Sequence, residues 1–254
     1  MVLTVDVGNL DVTLGGFVDG ALVFKGRIST DTRATEDEYA GRILNLLALY
    51  GVKSTEIEGA ILASVVPPLD AVIKKALHFL FTIRPLSVGP GMKTGIGIRC
   101  DTPSSVGADL ICAAVAAYTL YDSPSVIVDV GTATKITVVN ENGAFIGTSI
   151  APGVLMGLNA LADGTAQLPR VSLEAPASVV AKNTVDCMKS GVIFGHSAMI
   201  DGMIDRVREE LSLDVPVYIT GGLAETVMPY CRREMTLDAD LVLKGLYILY
   251  QKNQ

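Results

Sequence analysis

Val5-Asp6-Val7-Gly8-Asn9 and Val128-Asp129-Val130-Gly131-Thr132 are the two stretches that decide the fold of this 254-residue chain. They superimpose at an offset of 123, and at that offset Gly20-Ala21 falls on Gly143-Ala144 with no gap between the anchors. Each copy reads as an apolar strand ending in Asp, a tight Gly turn, a second strand, a hairpin turn and a third strand. Strands are expected over 2–7, 12–17 and 21–28, and again over 125–130, 134–139 and 144–150. Val18-Asp19-Gly20 and Asn140-Glu141-Asn142-Gly143 carry residues that tolerate the positive φ of hairpin turns.

Working outward, a helix-and-strand section follows each meander. Residues 36–50 place Ile43, Leu44 and Leu47 at the spacing of one helical face. Residues 59–66 read as a buried strand, 69–80 as a helix and 110–121 as an apolar helix. In the second half, 183–211 is a long helix, 215–220 a strand and 238–251 a final helix. Two β-β-β-α-β-α halves in tandem predict an α/β chain of two similar lobes with a cleft between them, rather than one doubly wound sheet. Asp122-Ser123-Pro124 interrupts two apolar runs, which puts the first lobe at 1–121 and the second, with the long helix, at 122–254. The cleft floor is expected to be Asp6–Asn9 and Asp129–Thr132.

Half of the residues are apolar, 19% are charged, and the net charge is −7. An acidic chain without a basic face argues against a nucleic-acid partner but leaves room for a local phosphate site. Cys100, Cys112, Cys187 and Cys231 form no CxxC pair, and with only His78 and His196 available no zinc cluster is formed. The opening MVLTVDVGN has no basic n-region and no run reaches 18 apolar residues, so neither a signal peptide nor a membrane span is expected, and the compartment reads as cytoplasmic.

The chemistry-bearing residues cluster at the turns. Each Asp-Val-Gly places a carboxylate at a strand end and a Gly where backbone N–H groups can approach a polyphosphate. Asp6 and Asp129 would then stand where hydrated Mg²⁺ takes oxygen ligands. A strand-ending Asp-Gly is also an ordinary turn; two in repeat register carry more weight than one. Gly221-Gly222 follows the strand Val217-Tyr218-Ile219-Thr220 and fits either a tight connection or a nucleotide contact. Ala151-Pro152-Gly153 is a turn that could touch phosphate or sugar. Asp109, after Gly107-Ala108, opens a helix whose N-terminus favours negative charge. It also fits a general base that takes the proton of a substrate hydroxyl during phosphoryl transfer. Gly89-Pro90-Gly91-Met92-Lys93-Thr94-Gly95 is not a Walker motif. His78 reads as a filler, and His196 in the long helix as a packing or dimer residue.

With these residues in hand, the chain resembles the type III pantothenate kinases. Asp6-Val7-Gly8-Asn9, Gly107-Ala108-Asp109 and Asp129-Val130-Gly131-Thr132 are similar to three of that family's signatures. Ile150-Ala151-Pro152-Gly153, Leu168-Pro169-Arg170-Val171, Lys182-Asn183-Thr184-Val185, Ser190-Gly191, Thr220-Gly221-Gly222 and Asp240–Leu246 follow in the family's order. The resemblance implies actin/ribonuclease H-like lobes with an inter-lobe nucleotide cleft. It implies transfer of the ATP γ-phosphate to the hydroxyl of pantothenate, the first step of coenzyme A synthesis, in a homodimer joined by the long helix. On this analogy Asp109 is the base, and Asp6 and Asp129 hold Mg²⁺ and phosphate. Gly8, Asn9, Gly131, Thr132, Gly221 and Gly222 line the nucleotide. Gly107 and Cys100 lie at the substrate, with Thr184 reaching pantothenate from the partner subunit. A monovalent cation such as K⁺ is implied as well.

Several positions depart from the family pattern. Leu110 stands where Gly-x-Asp-Arg has its Arg, and Cys100-Asp101-Thr102-Pro103 replaces a Tyr-x-Asn-Pro stretch. Leu10 follows Asn9 in place of Thr or Ser, while Lys135 and Thr137 replace Thr and Asp. The nucleotide and base positions are kept, and those that would grip a carboxylate substrate are not. Three readings follow: a pantothenate kinase with an altered pocket, a kinase of the same fold for a neutral polyol or nucleoside, or a non-catalytic nucleotide-binding regulator.

Overall fold

The computed structural model describes residues 1–254 and divides into two compact units, Met1–Leu120 with Leu241–Gln254, and Tyr121–Asp240. In the first unit β1 (Val2–Val7), β2 (Asp11–Val18) and β3 (Ala21–Ser29) form an antiparallel meander. Next come α1 (Glu36–Leu49), β4 (Gly59–Ser64), α2 (Pro67–Phe81), β5 (Leu86–Ser87) and α3 (Ala108–Leu120). The sheet runs β3-β2-β1-β4-β5, with β4 parallel to β1 and β5 parallel to β4.

Alternation along β1 sets the layers. Leu3, Val5 and Val7 face a core with Tyr39, Ile43, Leu47, Leu69 and Ile73 from α1 and α2. Thr4 and Asp6 alternate to the other face. Each fully buried Leu, Ile or Val contributes about 1.5–3 kcal/mol, which outweighs the weak propensities of short helices. Helix α1 begins where it does because Thr35 and Glu38 form a reciprocal capping box, and α2 starts on Pro67-Pro68, whose missing N–H groups need no partner there.

In the second unit, β6 (Ser125–Val130), β7 (Ala133–Val139) and β8 (Phe145–Pro152) repeat the meander. After them come α4 (Val154–Asp163), α5 (Thr184–Leu211), β9 (Val217–Thr220), α6 (Ala224–Val227) and β10 (Thr236–Leu237). The order β10-β9-β6-β7-β8 is that of the first sheet with each strand replaced by its counterpart. Val126, Val128 and Val130 pack on Ile193, Ile200 and Ile204 of α5, whose N-terminus is capped by Asn183 at 2.9 Å.

Three expectations change in detail. The last helix, α7 (Leu241–Lys252), packs in the first unit against α3 and β1 rather than with residues 122–240. Gly245 makes the approach possible, since a Cβ there would collide with the Cys112 backbone. The repeat is also not gap-free. Val7 pairs with Val12, whereas Val130 pairs with Thr134, so the second Asp-Gly turn is one residue shorter. The next hairpin restores the offset, because Phe17 pairs with Leu22 but its counterpart Val139 with Phe145, one residue further on. Finally, residues after Gly153 form α4, with Gly153 as its N-cap, where only a turn was expected. No helix is long and apolar enough to cross a membrane.

Candidate active site

In the first unit the turn after β1 is closed by Gly8 N–H donating to Asp11 O at 3.0 Å. Thr30 at the end of β3 pins it, donating Oγ1–H to Gly8 O at 2.6 Å and N–H to Leu10 O at 2.9 Å. Asn9 and Leu10 are left exposed at the tip. Helix α3 starts close by. Gly107 O accepts the Ile111 N–H, and the Asp109 carboxylate accepts the Leu110 N–H at 2.9 Å. A Cβ on Gly107 would stand 2.5 Å from Asp109 Oδ1, so glycine is required for the carboxylate to sit there. Asp109 is only 9% exposed.

Cys112, fully buried one turn into α3, ties the two parts together. Burial pushes its thiol well above the usual range, and the charges of Asp6 and Asp109 add to the shift. Asp6 and Asp109 are thus both within electrostatic reach of this thiol.

In the second unit Gly131 N–H closes the turn onto Ala133 O at 3.1 Å, and Gly153 N–H donates to Thr132 O at 3.1 Å. A Cβ on Gly153 would collide with the carbonyls of Gly131 and Thr132, so Gly153 supports this turn from behind. Gly221 has φ +98°, and a Cβ there would stand 2.5 Å from Asp129 Oδ1. The sequence-predicted Asp129, Gly131, Thr132 and Gly221 are thus brought to one place, with Gly222 beside them on the surface. Lys135 joins them, its Nζ 2.8 Å from Asp129 Oδ2.

Other predicted residues lie apart. Thr184 is exposed as the first residue of α5, and Cys100 is half-buried in the loop before α3. Leu110 is 6% exposed, so the position where the family pattern has Arg is an apolar core position here. His78 Nδ1 lies 2.8 Å from Ile83 O just beyond the end of α2, and His196 Nε2 lies 2.7 Å from Thr134 Oγ1. Burial lowers the His196 pKa. A groove of about 240 Å³ between β7, β8 and α5 is lined by Ile136, Met203, Val207 and Leu211 and contains none of the predicted residues. Thr30 supports the first turn but carries no signature of its own in the sequence.

Two five-stranded mixed sheets of one topology, each with a central strand ending in Asp and a Gly turn, define the actin-like fold class. Solved structures agree on the fold. A conserved Baf family protein from Campylobacter jejuni matches with TM-score 0.62 at 18% identity over 99% of this chain and 98% of that one. Component A of (R)-2-hydroxyglutaryl-CoA dehydratase from Acidaminococcus fermentans matches with TM-score 0.58 at 15% identity over 98% and 96%.

The family model for type III pantothenate kinase matches residues 2–206. A type III pantothenate kinase of Bacillus cytotoxicus is 41% identical over 253 residues, covering 100% of this chain and 97% of the relative. The chain belongs to the type III pantothenate kinase family and is an ATP-dependent phosphotransferase.

Proposed function

We propose that the chain transfers the γ-phosphate of ATP to the hydroxyl of pantothenate or a closely related small alcohol, with Asp109 as the general base. The observation that carries this reading is the Asp109 carboxylate, only 9% exposed and seated against Gly107 at the start of α3, where the Gly107-Ala108-Asp109 signature falls. The Leu110 N–H fixes the Asp109 carboxylate. Asp109 takes the hydroxyl proton, the alkoxide oxygen bonds to the γ-phosphorus, and the bridging P–O bond breaks to leave ADP. Asp6 would hold Mg²⁺, which supplies charge neutralisation for the phosphates. The Gly8-Asn9 and Gly131-Thr132 turns, whose Gly8 and Gly131 N–H groups close onto Asp11 O and Ala133 O, would take the nucleotide together with Gly221 and Gly222.

The chain would act as a homodimer in the cytoplasm, as an enzyme of coenzyme A synthesis. Exposed Thr184, together with Ile150 at 66%, Val179 at 64% and Val180 at 82% exposure, supports a partner subunit against the second unit.

A second reading, a neutral alcohol as acceptor, is favoured by Leu110 and Cys100. A buried carboxylate substrate needs a cationic or multi-donor partner, and loss of one costs about 2–5 kcal/mol, or roughly 30- to 5000-fold in binding. Steady-state kinetics with ATP and increasing pantothenate, beside a panel of neutral alcohols, decides between them. A micromolar KM for pantothenate makes it the acceptor; turnover confined to neutral alcohols favours the second reading. ATP binding without turnover on any alcohol removes the kinase reading.

A further inference from the structure

Lys135 lies directly across from Asp129 in the β6–β7 register, and Thr13 lies at the corresponding place across from Asp6 in the β1–β2 register. The two sheets share strand order and the same bulge in the second hairpin, so this is a difference at one position of one frame. In the second unit the strand pair carries a fixed positive charge; in the first it carries a neutral hydroxyl. The Lys135–Asp129 pair is 2.8 Å long with side chains 18% and 15% exposed, which sets it apart from the surface ion pairs of the molecule, such as Arg170–Asp163 at 79% and 59%. Gly221 crowds the same carboxylate, and its lack of a side chain keeps backbone, carboxylate and ammonium together at the turn.

A carboxylate this far from water needs a cation beside it, and so do phosphate oxygens brought to a turn next to it. An ammonium with three N–H donors can bridge a carboxylate oxygen and a phosphate oxygen as a point charge. We propose that Lys135 is a tethered cation on Asp129 that serves the phosphates at the Gly131-Thr132 turn in place of a soluble monovalent cation. The inference rests on reading that turn as a phosphate site. It assigns the divalent cation to Asp6 and makes nucleotide binding by this chain independent of K⁺.

The test is the ATP dissociation constant of the full chain, measured by calorimetry in K⁺, Na⁺ and choline buffers at equal ionic strength. The wild type should vary less than about twofold among the three, whereas Lys135→Thr should bind roughly tenfold more weakly in choline and recover in K⁺. Lys135→Met keeps the stem without the charge and gives the same comparison if Lys135→Thr does not fold. A wild type that requires K⁺, or a Lys135→Thr protein that binds ATP in choline as tightly as the wild type, overturns this proposal alone. Absence of ATP binding in every salt overturns the nucleotide site and this proposal together.

Discussion

The first and second units use one strand order, one pattern of parallel and antiparallel pairing and one Asp-Val-Gly turn, yet they fill the frame differently. Asp6 faces Thr13, whereas Asp129 faces Lys135 and is crowded by Gly221. The first turn spans Gly8–Asp11 and is pinned by Thr30, while the second is a residue shorter and is backed by Gly153. Strand pairing conserves the backbone positions because it depends on main-chain hydrogen bonds, which are indifferent to side chains. The side chain across from each Asp is free to vary, and it decides whether that carboxylate faces a hydroxyl or an ammonium. Duplicated backbone with unequal chemistry is what the comparison teaches.

The largest test of this asymmetry is Asp109→Asn. If proton transfer belongs to the first unit, turnover should fall by about 100-fold or more while the melting temperature barely moves, because Asn keeps the shape and the bond from Leu110 N–H. Turnover and melting are read on one sample. Full turnover with a lowered melting temperature would leave Asp109 only a helix-capping role.

Next in size is the ion pair. Asp129→Asn removes the charge 2.8 Å from the Lys135 ammonium in a largely buried place and should destabilise by about 2–4 kcal/mol. The double variant Asp129→Asn with Lys135→Met should recover most of that loss, since no uncompensated charge remains. Denaturant unfolding of the four proteins closes the cycle. Additive losses would mean that the pair is not coupled, and the contrast with Asp6 and Thr13 would lose its energetic content.

The smallest effect concerns His196, which bonds Thr134 in the second unit; Val12, at the matching place after the first turn, is buried and apolar. Burial lowers the His196 pKa from its ordinary 6.5, so the folded state favours the neutral ring. Stability from this site is present above that value and is lost as pH falls below it through the lowered folded-state pKa. Thermal melts of the wild type and His196→Gln between pH 8 and 5 should diverge on the acid side by about 1 kcal/mol or less. Parallel curves would remove His196 as a titrating contact.

Much of this was legible in the chain itself. Strand alternation, the Asp-Gly turns and the helical spacings come from local rules, and they placed thirteen elements within a few residues while missing β5, α4, α6 and β10. The two compensating length changes were invisible, because an insertion in one hairpin restores the offset lost in another. The Lys135–Asp129 contact was not readable either. A spacing of six residues implies nothing until the short turn sets the register that puts them opposite.

By itself, then, the sequence determined the repeat, the strands and the identity of the carboxylates, since each depends on neighbours along the chain. Only the tertiary structure decided that α7 closes the first unit, that Gly245 lets it approach Cys112, and that Asp129 meets an ammonium. Those outcomes depend on packing and register between residues far apart in the chain. Local propensity cannot fix such contacts, because their free energy appears only when the surfaces close on one another.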